Sequence, residues 1–106
     1  MKASERIVAA LPRNREQRIN ALKVIIRLAE GEAVHQYKYW TNNYSKLVPA
    51  AGVSTAVRVL EAASVDYCYG NDAPRGGVTG DYVKLVRRMP SAVHSFEVAL
   101  ASASIP

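Results

Sequence analysis

The chain has 106 residues, 49% of them hydrophobic and 22% charged, which suits one globular domain and excludes a low-complexity or highly charged disordered segment. Its formal charge is +5 and it holds a single cysteine, so an internal disulfide and a multi-thiolate metal centre are both excluded. The charge is uneven: residues 1–32 hold seven basic and four acidic groups, residues 33–64 three and one, and residues 65–106 four and four. A field of that sign favours anionic partners, either nucleic acid or an acidic protein surface.

The first residues, Met1-Lys2-Ala3-Ser4-Glu5-Arg6, lack the continuous apolar core of a secretory signal, and no apolar run approaches the roughly 20 residues of a membrane span. A cytoplasmic protein without a membrane partner is the expectation. Ser4 followed by Ile7, Val8 and Leu11 predicts a short helix capped by the serine and stopped by Pro12. Asn14, with Gln17 three residues on, predicts the start of a second helix. Its inward face is Ile19, Leu22, Ile25, Ile26 and Ala29, and Gly31 ends it.

Val34, Tyr37, Trp40, Tyr44, Leu47 and Val48 follow at helical spacing until Pro49 and Gly52 close the stretch. Ser54 then caps a further short helix with Val57, Leu60 and Ala63 or Ser64 inward and Thr55, Arg58, Glu61 and Ala62 outward. The period next switches to two. Val65, Tyr67 and Tyr69 alternate with Asp66 and Cys68, and Val83 and Leu85 alternate with Tyr82, Lys84 and Val86. A β-hairpin over roughly Val65 to Arg87 is predicted, with Gly70 to Gly80 as its projecting tip. After Pro90, Ser91 caps a last helix with Val93, Phe96, Ala99 and Leu100 inward, followed by a loosely held Ala-Ser-Ala-Ser-Ile-Pro end. The fold class is α+β: one domain over residues 1–106 with three to five short helices and a two-stranded hairpin.

The run Lys46 to Ala63, with Gly52-Val53-Ser54 ahead of Val57-Arg58-Val59-Leu60 and leading directly into the hairpin, resembles the turn and recognition helix of the winged helix-turn-helix family. The resemblance covers about Gln17 to Val86. It implies a winged-helix-like fold and a partner in double-stranded DNA, with the helix in the major groove and the hairpin tip along the backbone or minor groove. On that reading Arg58 is the long donor for guanine, and Ser54 and Thr55 meet phosphate near the helix N-terminus. Arg75 at the tip, with Lys84 and Arg87 behind it, meets the backbone, while Glu61 opposes DNA unless it reads cytosine. A plain edge hairpin with a freely varying tip fits the same glycines.

The alternative is a protein-interaction module, such as a small inhibitor of phage or mobile-element type that covers an acidic host surface. Its candidate interface is Tyr37, Tyr39, Trp40 and Tyr44, aromatic residues of the kind enriched at interfaces. Interleaved with Lys38 and Lys46 they also suit base stacking, although their helical spacing favours core packing. A homodimer through the last helix, by Val93, Phe96 and Leu100 beside Arg87-Arg88, is a further option. His35 and His94 lack partners at ligand spacing, Cys68 has no basic neighbour in sequence, and the glycine-rich segment lacks a phosphate-loop ending. No catalytic residue, metal or cofactor is therefore expected, and an enzyme is not expected.

Overall fold

A computed structural model describes residues 2–35, 50–70 and 82–104. In chain order the elements are α1 (Ala3–Ala10), α2 (Arg15–Ala29), β1 (Val34–His35), α3 (Ala50–Ala62), β2 (Tyr67–Gly70), β3 (Tyr82–Leu85) and α4 (Pro90–Ser104). This is the α+β architecture expected, with the hairpin where the alternation placed it.

Local chemistry explains most of the helix ends. The Asn14 side chain accepts from the Gln17 backbone N–H at 3.0 Å and starts α2. At its other end the Gly31 N–H donates to the Leu28 carbonyl and the Glu32 N–H to the Arg27 carbonyl, a Schellman pair that needs left-handed backbone at residue 31. Gly31 has φ +94°, as a glycine there readily does. The Arg27–Glu32 ion pair at 3.3 Å spans the same end.

The α3 C-terminus repeats this closure without a glycine. The Ser64 N–H donates to the Glu61 carbonyl and the Val65 N–H to the Leu60 carbonyl, and Ser64 takes φ +55°. The chain then reverses into β2.

Several expectations are corrected. The N-cap of α1 is Lys2 rather than Ser4, with the Glu5 carboxylate accepting from the Lys2 backbone N–H. Val8 of that helix is exposed, while Ile7 is fully buried. α4 opens on Pro90, whose missing N–H costs nothing in the first turn, so Ser91 is not its cap, and the helix continues through Ser104. Val34 is not helical: it lies in β1, pairs with Val83 of β3 and is buried.

α2 is the central helix, packed on one side by α3 and on another by α4, and α1 closes against both of those neighbours. The three-stranded antiparallel sheet, in the order β1-β3-β2, lies against α2 through β1 and β3. Register places Tyr67 opposite Leu85, Cys68 opposite Lys84, and Tyr69 opposite Val83. Val83 and Leu85 are buried, and Lys84 and Val86 are exposed, as strict alternation requires.

One core results, built on Phe96, Ile7, Leu22, Ile25, Leu28, Leu60 and Val83. Each such side chain contributes about 1.5–3 kcal/mol by leaving water. The inward face of α3 is Val53, Ala56, Val59 and Leu60, continued by buried Ala63 just past its end, with Val57 only half-buried.

Candidate nucleic-acid interface

α3 begins at Ala50, four residues before the serine expected to cap it. Gly52 is therefore inside the helix, and its role is steric. A Cβ on it would stand 2.5 Å from the Asn20 carbonyl oxygen and 3.1 Å from Val24 Cγ2, so the absent side chain lets α3 approach the α2 backbone. Ser54 and Thr55 lie beyond the first turn. The N–H groups there belong to the helix ladder, so these residues can offer hydroxyls to a phosphate but not a helix N-terminus.

The exposed side of α3 carries Ser54, Arg58, Glu61 and Ala62, with Thr55 half-buried beside them. Arg58 Nη2 donates to Thr55 Oγ1 at 3.5 Å, a long bond that leaves the guanidinium on the surface. A hollow of about 270 Å³ borders this face and is lined by Ala10, Pro12, Gln17, Thr55, Arg58 and Val59. Gln17 thus joins Arg58 at the edge of the surface. Sequence reasoning assigned it only to the α2 cap, because its nearness to α3 depends on how the two helices cross.

Glu61 is tied to the hairpin. The Tyr67 hydroxyl donates to Glu61 Oε1, linking the exposed face of α3 to the first residue of β2. Lys84 projects from the exposed face of β3, directly across from Cys68, which gives that half-buried thiol a basic cross-strand neighbour invisible in the linear sequence. Arg87 is exposed just past β3 and lines a hollow with Asp66, Val65, Val86 and Met89, so an acidic residue stands beside it.

The structure therefore brings Ser54, Thr55 and Arg58 onto one helix, with Lys84 and Arg87 on the strand side of the same α3-hairpin unit. Arg75 and the aromatic set Tyr37, Tyr39, Trp40 and Tyr44 lie outside the described residues.

Several arginines make structural contacts within the domain. Arg6 Nε donates to the Ala63 carbonyl at 2.8 Å, at the C-terminus of α3. Arg18 Nε donates to the Pro12 carbonyl at 3.2 Å and its Nη2 to the Arg13 carbonyl at 3.3 Å, bracing the α1–α2 turn. Arg88 crosses close over Gly31, its Cδ 3.4 Å from where a Cβ would sit. The Arg6 and Arg88 contacts join residues far apart in the chain, so no spacing in the sequence signals them, whereas Arg18 braces a turn within six residues.

Among the described residues no group of three or more His, Cys, Asp or Glu side chains is arranged to hold a metal ion. No helix among them is long and apolar enough to cross a membrane. Comparison of the chain with protein-family models, curated proteins and solved structures found no match.

Proposed function

We propose that this chain is a small basic DNA-binding protein of winged helix-turn-helix type, acting on duplex DNA as a transcriptional regulator or an architectural factor. One observation carries the reading: α3 passes through the four residues 63–66 into the antiparallel hairpin, with Arg58 exposed on the helix and Lys84 and Arg87 exposed on the hairpin side.

A helix that enters the major groove needs a long donor on its exposed face, and Arg58 supplies one able to bond O6 and N7 of guanine together. Ser54 and Thr55 offer hydroxyls to flanking phosphates, Lys84 and Arg87 supply backbone contacts from the hairpin side, and Arg75, between β2 and β3 in sequence, is a further candidate for them. The pairing of β1 with β3 supports the reading further, because it fastens the hairpin to the helical body and so fixes its angle to α3.

The test is binding of the purified protein to random and selected duplexes in a salt series. The expected result is affinity at low salt that falls linearly on a logarithmic salt axis, with loss of selectivity in Arg58→Ala. Failure to bind any duplex at low salt overturns the reading.

A further inference from the structure

Away from α3 and the hairpin, α1 and α4 form a surface strip outside the proposed interface, on which Val8 and Val98 are exposed while Leu11 and Ala99 also pack against the core. Two hollows lie along it and meet at Val8 and Ser95. One, about 490 Å³, runs past Leu11, Val98 and Ala99 to Arg13 and Arg18. The other, about 370 Å³, runs past Ala9 to Ser4 and Glu5. Val8 is 40% exposed and Val98 53%, two of the three large hydrophobics exposed among the described residues.

The strip is mostly apolar, with the Glu5 carboxylate toward one end and the Arg13 and Arg18 guanidinium groups toward the other. That pattern is complementary to itself. A two-fold axis through the Val8–Ser95 junction would lay the strip on a copy running the other way, which sets Glu5 against the partner's Arg13 and Arg13 against the partner's Glu5. It also carries Val98 toward the partner's hollow between Val8 and Ala9. A two-fold interface requires such self-complementarity.

We infer that the α1–α4 face is a homodimer interface in which two copies of this chain pair antiparallel about Val8 and Ser95. The dimer does not use the last-helix residues that the sequence suggested: Phe96 is fully buried within one copy, and Val93 and Leu100 pack on the same core. α4 is about 22 Å long and the strip is two helices wide, so the contact is small and the dimer weak. This inference is independent of DNA binding and is tested without nucleic acid.

Sedimentation equilibrium over a wide concentration range is the experiment, with circular dichroism on every variant. The wild-type chain should show a reversible monomer–dimer equilibrium. Val98→Asp, at an exposed position, should raise its dissociation constant by about tenfold or more, because each dimer then buries two carboxylates.

Glu5→Lys sets lysine against the partner's Arg13, and Arg13→Glu sets glutamate against the partner's Glu5, so each variant alone should dissociate. Mixed one to one they should recover the wild-type equilibrium, since both opposed pairs then have opposite charge. Wild-type monomer at the highest soluble concentration, a dimer indifferent to Val98→Asp, or a mixture of folded variants that fails to recover would each overturn the inference. If Glu5→Lys unfolds α1, Arg13→Glu and Val98→Asp still decide it, because both must weaken the dimer.

Discussion

Arg6 and Ala63 are joined across the molecule: the guanidinium Nε of the first helix donates to a carbonyl at the C-terminus of the third, at 2.8 Å. The bond neutralises part of the negative end of the α3 dipole and satisfies an acceptor that the helix cannot satisfy itself. α1 has only eight residues and would not persist alone, so docking through Ile7 and Arg6 is what maintains it.

Arg6→Ala should therefore destabilise the protein by about 1.5–3 kcal/mol, the range for a hydrogen bond with a charged partner. Arg6→Lys should recover little, because an ammonium does not reproduce the planar Nε–H direction. Urea unfolding measures both, and an unchanged midpoint in Arg6→Ala would refute the role.

Gly52→Ala distinguishes local propensity from packing. On an exposed helix the substitution would stabilise by about 1 kcal/mol. Here the new methyl meets the Asn20 carbonyl oxygen at 2.5 Å, a backbone atom held within α2. The expected outcome has the opposite sign, a loss of about 1–3 kcal/mol from overpacking. Denaturation of the single variant is sufficient, and any gain in stability would show that the two helices separate without cost.

Ser64 is the converse case. Its φ of +55° costs a residue with a Cβ about 1–2 kcal/mol, and its side chain is exposed. Ser64→Gly should raise stability by about 0.5–1 kcal/mol after the added freedom of the unfolded glycine is subtracted. Ser64→Val should lower it, because branching at Cβ worsens the left-handed strain. Thermal melts of the pair test the assignment, and a stabilising valine would contradict it.

These three sites show what the sequence could and could not reveal. Asn14 and Gly31 were legible because a cap and a left-handed turn are settled by residues within five positions of each other. The hairpin was legible because alternation fixes which residues of a strand are buried, and Val83, Lys84, Leu85 and Val86 obey it. Gly52 was misread as a turn because its helical role depends on the approach of Asn20 and Val24 of α2, which no local pattern encodes. Val34 was assigned to a helix because a two-residue strand has no period of its own, and only pairing with Val83 defines it. For the site, the exposure of Arg58 and Lys84 followed from periodicity, while the bond between Tyr67 and Glu61 required the turn at Ser64 to bring β2 back beside α3.

That bond makes Glu61 the most informative residue for the proposed DNA contact. It is exposed on α3 one position from Ala62 and three from Arg58, so on a helix in the major groove its charge opposes phosphate. Glu61→Gln removes the charge but keeps a carbonyl oxygen for the Tyr67 hydroxyl. Non-specific duplex affinity should rise several-fold at low salt, and the gain should shrink as the Debye length falls to about 10 Å at 0.1 M. Tyr67→Phe removes the bond and leaves the carboxylate, so it should cost about 0.5–1.5 kcal/mol of stability, the bond being exposed, without any gain in affinity. If Glu61 accepts from a cytosine amino group instead, Glu61→Gln should weaken binding to a selected duplex while still tightening it to random sequence. An affinity for every duplex that ignores the charge at residue 61 would remove α3 from the contact surface.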